Sequence, residues 1–256
     1  MTEISIPVSG RPQASYMGRL LDVLDATITA PDAPNLSEIA EAAGTPLSTT
    51  SRLVALLTEK GFLLQGDGGR YTAGPRLTHV ALRVLDQFHD TDRLVAATRA
   101  LSAGSGESVS AGLLIGDSIV LVARTESQQS LRAVARVGDI ITPHTSALGK
   151  AILAGLPEER RVRLVRTAAG DDASTILAGL AGELADAHAE GFAVDEETYT
   201  VGLRCRAAAI RDHAGRAVGG LSIAGPAARF TLDAAADVVP ALLDRVDALS
   251  FSPRSH

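Results

Sequence analysis

The stretch from Leu36 to Gly74, LSEIAEAAGTPLSTTSRLVALLTEKGFLLQGDGGRYTAG, constrains the fold more than any other part of the 256-residue chain. Two helices that cross closely through a short turn need a branched apolar residue and then a small one on the first helix, Gly at the turn, and apolar residues on the inner face of the second. Ile39, Ala40, Gly44 and Leu53 stand in that register; Thr50 occupies a position where an aliphatic residue is more usual. Asn35 and Glu38 form the Asn-x-x-Glu version of a capping box, Ile39 and Ala43 face inward, and Gly44 supplies the left-handed turn that ends the helix. The next helix is expected to start at Thr45 as cap and Pro46 as first residue, and to run through Leu53, Leu56 and Leu57 to Gly61. Upstream, Tyr16, Leu20, Val23, Leu24 and Ile28 recur at helical spacing. Downstream, two short runs flank the Gly-rich turn at residues 66–69, a hairpin pattern. Residues 1–74 therefore read as a mainly α winged helix-turn-helix.

With Leu53, Leu56 and Leu57 inward, the outer face of the third helix presents Leu47, Ser48, Ser51 and Arg52, with Thr49 beside them. Short hydroxyls and free N–H groups at a helix start suit phosphate, and an arginine can read a guanine edge in the major groove. Arg70, at the hairpin turn, suits a backbone or minor-groove contact. Residues 1–76 nevertheless hold six Lys or Arg against eight Asp or Glu, so binding must rest on a few well-placed contacts and on dimerisation. A tri-helical unit that only dimerises is the alternative reading.

From Pro75 the stripe Leu77, Val80, Ala81, Val84, Leu85 and Phe88 predicts a connecting helix over residues 75–91, with Leu77, Val84 and Phe88 placed to transmit a signal. A second helix follows from about Asp92 to Ala103. Residues 92–256 then alternate. ESVSAGLLI and SIVLVART flank a turn at Gly116-Asp117, and LRAVARV reads as a further strand. Helical patterns follow over Ser146–Ala154, Glu158–Arg166 and Ser174–Glu190. RCRAAAIRD and RAVGGLSIAG flank a turn at His213–Gly215, and a last helix is expected over Leu232–Leu249. Hairpins imply an antiparallel sheet with helices gathered to one side, an α+β domain.

Several chemistries are excluded by spacing. Ser146 and Lys150 have three residues between them where an acylating Ser-x-x-Lys needs two; Lys150 is followed by Ala151 rather than Ser or Thr, which breaks a phosphate loop. What remains is a capped helix whose first N–H groups can hold an anion. On the second hairpin, Cys205, the only cysteine, runs beside Ser222, with Asp195 upstream; these and a helix N-terminus suit a small-ligand site. Cys205 itself stays open between pocket wall, metal ligand and nucleophile. An enzyme using Ser146 or Cys205 is the rival from another class. An aromatic content of 3% without Trp argues against base stacking. No run of about 18 apolar residues and no secretory start is visible, so no membrane span and a cytoplasmic location are expected. No cofactor and no metal site are expected either.

Taken together, LSEIAEAAGTPLSTTSRLVALLTEKGFL, YTAGPRL, VGDIITPHTSALGKAILA and GFAVDEETYTVGLRCRAAAIRDHAGRAVGGLSIAGPAARF resemble the IclR family of bacterial transcriptional regulators, from about Ser15 to Phe230. The resemblance implies a winged helix-turn-helix joined by a linker helix to an effector domain of GAF-like fold. It implies a homodimer or homotetramer on a palindromic operator in double-stranded DNA, with repression the expected sign, under control of a small-molecule effector. The effector pocket it implies maps to Ala147, Leu148, Asp195, Cys205 and Ser222. Ala224 stands where some oxo-acid sensors carry a second serine, and Leu148 is bulkier than its counterpart there; both differences point to a less polar or larger ligand. Some members hold zinc, which keeps the metal reading of Cys205 open.

Overall fold

The computed structural model describes residues 15–86 and 91–249, which fall into two compact units, 15–86 and 91–249. The first is built from α1 (Tyr16–Thr29), α2 (Leu36–Ala42), α3 (Leu47–Glu59), the hairpin β1 (Leu63–Gln65) and β2 (Tyr71–Ala73), and α4 (Pro75–Asp86). Its core is Val23, Ile39, Ala43, Leu53, Val54, Leu57 and Leu63. The capping box at Asn35 forms in full, its Oδ1 accepting from Ser37 and Glu38 N–H while Glu38 accepts from Asn35 N–H at 2.8 Å. Gly44 turns with φ +58°.

Three details differ from expectation. Pro46, not Thr45, is the cap of α3, because the Pro46 carbonyl accepts from both Thr49 and Thr50 N–H and so opens the first turn. Val54 is buried and Leu56 only half-buried, a rotation of the inner face. Tyr16 and Ile28 are largely exposed on α1, where Thr27 takes the inward place and donates to Val23 O at 2.7 Å. Thr50 is wholly buried, and its hydroxyl lies 3.3 Å from Thr45 O and 3.2 Å from Pro46 O, so the polar group at an aliphatic position has acceptors. On α4, Leu77 is half-buried while Val80, Leu82 and Val84 are exposed. Phe88 lies outside the described residues.

The second unit places α5 (Thr91–Ser105) before a six-stranded antiparallel sheet of β3 (Ser108–Ile115), β4 (Ser118–Thr125), β5 (Ile140–Ile141), β6 (Phe192–Glu196), β7 (Leu203–Arg211) and β8 (Ala217–Pro226), in the order β5-β4-β3-β8-β7-β6. The helices cover both faces rather than gathering to one side, because alternate strand residues are apolar on each: one face carries α6 (Ala147–Ala154), α7 (Glu158–Ala169), α8 (Ala173–Gly179) and α9 (Ala181–Glu190) over Ile119, Leu121, Cys205 and Ala207; the other carries α5, α10 (Leu232–Asp237) and α11 (Val239–Ala248) over Val109, Leu221 and Ile223. Both predicted hairpins form, with Gly116 at φ +60° and Gly215 at φ +76°.

LRAVARV is not a strand. Leu121 donates to Asp139 O and accepts from Gly138 N–H, so residues from 138 onward take the edge of β4 and leave 131–137 without a ladder partner. The expected helix over Leu232–Leu249 is two, because Pro240 has no N–H for the Ala236 carbonyl and the chain breaks at Val238. The expected helix over Ser174–Glu190 likewise divides at Leu180, between Gly179 and Gly182.

Candidate functional site

In the helical unit, α3 carries the surface. Leu47, Ser48, Ser51 and Arg52 are exposed along one side of it and Thr49 is half-buried beside them, as the spacing predicted. Arg70 is placed differently from a free wing residue. Its Nη1 donates to Ala33 O at 2.6 Å and lies 3.7 Å from the Glu38 carboxylate, and Tyr71 N–H bonds Pro34 O. The guanidinium thus ties the wing to the start of α2, and the wing tip is Asp67, Gly68 and Gly69.

In the sheet unit, α6 stands on the sheet with all eight residues buried. Ser146 caps it, accepting from Gly149 N–H at 3.0 Å and donating to Thr142 O at 2.8 Å, so its hydroxyl is committed to the turn and offers no nucleophile. Gly149 is required there: a Cβ would stand 2.2 Å from the Pro143 carbonyl oxygen. Lys150 is buried and its Nζ reaches Glu183 at 2.7 Å, tying α6 to α9. Leu148 projects onto the sheet where Gly112 and Gly220 leave room; a Cβ on either would come within 2.9 Å of its methyls.

Strand register assembles the polar groups. Asp195 pairs with Cys205, Cys205 with Ala224, Ala207 with Ser222, Ser222 with Ser110, and Ser110 with Arg124. Alternation along each strand sends these side chains to the α6 face. Ala147, Leu148, Asp195, Cys205 and Ser222 are therefore on one side of one sheet, beneath or beside one helix. Asp195 is 2% exposed, and its Oδ1 accepts from Thr198 N–H at 2.9 Å and Tyr199 N–H at 3.2 Å, which holds the β6–β7 turn.

Burial pushes the Cys205 thiol up to about 12, and Asp195 adds to this against the opposing pull of Arg206, Ser222 and Lys150. A thiol so protonated is neither an attacking thiolate nor a ready metal ligand. Among the described residues no group of three or more His, Cys, Asp or Glu is arranged to hold a metal.

Arg124 and Ser110 belong to this face and sequence reasoning missed them. Arg124 Nη1 donates to Ser110 Oγ at 2.6 Å and its Nη2 to the Ala133 carbonyl, while its buried Nε has no partner. Burial holds its pKa below the usual guanidinium value. The signal was present as Ser108, Ser110 and Arg124 at alternate positions of otherwise apolar strands.

Among the described residues no helix is long and apolar enough to cross a membrane. Comparison with known proteins matches residues 18–67 to the IclR helix-turn-helix domain and residues 82–251 to the bacterial transcriptional regulator IclR C-terminal domain. The HTH-type transcriptional repressor AllR of Salmonella typhimurium is 34% identical over 210 residues, covering 78% of this chain and 75% of that protein. IclR of Thermotoga maritima superposes with a TM-score of 0.68 at 27% identity, covering 90% of this chain and 95% of that one. An IclR homologue of Microbacterium hydrocarbonoxydans, solved with 4-hydroxybenzoate, superposes with a TM-score of 0.69 at 21% identity, over 91% of this chain and 100% of that one.

Proposed function

The chain belongs to the IclR family of bacterial transcriptional regulators, and from that premise we propose that it is a repressor whose grip on a palindromic operator is set by a small organic acid held on the α6 face of its sheet. Its DNA contacts are Leu47, Ser48, Thr49, Ser51 and Arg52 on α3, with Arg70 lending its remaining donors to a phosphate. The observation that carries the DNA half is the exposed row of Ser48, Ser51 and Arg52 on α3, whose opposite side buries Leu53, Val54 and Leu57. Such a row fits a major groove, with Arg52 toward a base and the hydroxyls toward the backbone.

The effector site comprises Ala147, Leu148, Asp195, Cys205 and Ser222. Two features support an acid with an apolar body. Arg124 reaches this face with a donor to spare, and Leu148 and Ala224 make the lining less polar. The 4-hydroxybenzoate bound by the Microbacterium homologue is a ligand of that kind. A two-fold dimer, formed through the helical unit, matches the two-fold symmetry of the operator. The effector acts only through different affinity for the DNA-competent and DNA-incompetent states. An enzymatic reading through Ser146 or Cys205 is disfavoured by the committed hydroxyl and the protonated thiol.

Arg52→Ala tests the assignment. Operator binding, followed by fluorescence anisotropy, should be lost, while thermal stabilisation by the cognate acid is unchanged. Operator affinity equal to wild type would show that α3 does not read DNA in this register.

A further inference from the structure

On the sheet face opposite α6, a cleft of about 350 Å³ opens between β6 and the α10–α11 segment, lined by Phe192, Val194, Arg206, Ala236, Val239 and Pro240. Five of these six residues are apolar. Arg206 is the charged group of the lining and is only 6% exposed. Its Nη1 donates to the Cys205 carbonyl at 3.0 Å, and its Nη2 lies 2.6 Å from the Glu196 carboxylate. Glu196 is shared, since its other oxygen takes Nε of Arg204, whose Nη1 also bonds the Ala227 and Phe230 carbonyls. One carboxylate thus serves two guanidiniums. The acid at Glu107 is spent on Arg229, which grips it through Nε at 2.6 Å and Nη2 at 2.7 Å. Asp237, next to Ala236, lines a separate hollow between α5 and α11.

Among the described residues the cluster sets two guanidiniums on one carboxylate, and Arg206, paired with Glu196, is the charged wall of an apolar cleft. A buried guanidinium that shares its one carboxylate with a second is incompletely compensated, and an anion that fits the cleft supplies the further negative charge. The volume is at the small end of ligand pockets, roughly 300–1,000 Å³, whose usual make-up is an apolar lining with few well-placed polar groups. We infer that this cleft is a second ligand site, separate from the effector pocket, and that it takes a small amphipathic carboxylate. The apolar body lies against Phe192, Val194 and Val239, and the carboxylate meets Arg206.

The two sites share strand β7. Cys205 faces α6, the next residue faces the cleft, and the Arg206 guanidinium holds the Cys205 carbonyl. Any effect of one occupant on affinity at the other site is returned equally.

The test uses the full-length protein with labelled Ala, Val and Leu methyls, titrated with hexanoate and, separately, hexanamide. Hexanoate should move the Val194, Val239 and Ala236 methyls saturably, with a preference over the amide of about tenfold or more, the worth of a charge-assisted hydrogen bond. Ala236→Phe, at an exposed position that tolerates bulk, should abolish movement of the two valines and leave Leu148 as in wild type. Arg206→Gln, in which Arg204 still pairs with Glu196, should erase the acid preference. The inference is overturned if these methyls stay still, if amide and acid bind alike, if Ala236→Phe changes nothing, or if only the Leu148 methyls move, which would put the acid in the effector pocket alone.

Discussion

Replacing Gly149 by alanine pits two effects of opposite sign against each other. In most helix interiors this change is favourable by about 1 kcal/mol, because glycine has more backbone entropy to lose. At Gly149 the added Cβ meets the Pro143 carbonyl oxygen at 2.2 Å, its Cα at 2.4 Å and its carbonyl carbon at 2.6 Å, all backbone atoms that no rotamer change can move. Reaching an ordinary contact of 3.4 Å requires α6 and the preceding loop to separate by about 1.2 Å, in a helix buried on every side. Overpacking of this kind costs about 3 kcal/mol, the upper end of the usual range. The net loss is about 2 kcal/mol, or a fall in Tm of about 4–8 °C for a unit of this size. Gly182 in α9 is the control, because a Cβ there meets nothing within 4 Å. Gly182→Ala should raise Tm by about 2–4 °C at most. Calorimetry on the two variants, following the transition of the sheet unit, reads both signs in one experiment. Gly149→Ala stabilising the protein, or both variants moving Tm the same way, would refute the close approach of α6 to Pro143.

Three further outcomes follow from the same contacts. Cys205→Ser should change the concentration of effector needed for a response while leaving operator affinity in its absence intact; loss of both together would mark Cys205 as structural only. Thr50→Val removes a hydroxyl with two carbonyl acceptors but adds an apolar methyl in a fully buried place, so the unfolding free energy from urea denaturation should stay within about 1 kcal/mol of wild type. For Glu196, burial acts to raise the carboxyl pKa, but the hydrogen bonds from Arg204 and Arg206 outweigh it and hold it below the usual range. Its charged form therefore stabilises the fold above the ordinary glutamate pKa and ceases to do so as pH falls through the depressed folded value. The stability gap between wild type and Glu196→Gln, read by urea denaturation, should be full at pH 7 and shrink below about pH 4. A gap independent of pH would mean that the two arginines do not depend on that carboxylate.

What was legible in the sequence was local chemistry. The capping box at Asn35, the left-handed Gly44 and the turns at Gly116 and Gly215 depend on residues within a few positions of one another, and each forms as read. The segment 131–137 alternates like a strand yet is not one, because the edge it would pair with is taken by residues 138–141, a competition that no local pattern records. The pocket shows the same division. Cys205 and Ser222 could be placed together because one hairpin carries both. Arg124 could not, since it sits on β4, separated from Ser222 by one strand and from Cys205 by two, and reaches them by way of Ser110 on β3. The break at Pro240 was visible in principle and was outweighed by the amphipathic pattern around it.

The central claim is that α3 reads an operator under control of the sheet unit, and footprinting of the DNA upstream of the protein's own gene tests it most directly. At low salt the wild type should protect two half-sites related by two-fold symmetry, with centres about 10 bp or a multiple apart. That protection should change when an acid that stabilises the sheet unit is added, and it should be absent with Arg52→Ala. A wild type that protects nothing at low salt, with and without such acids, would contradict the account.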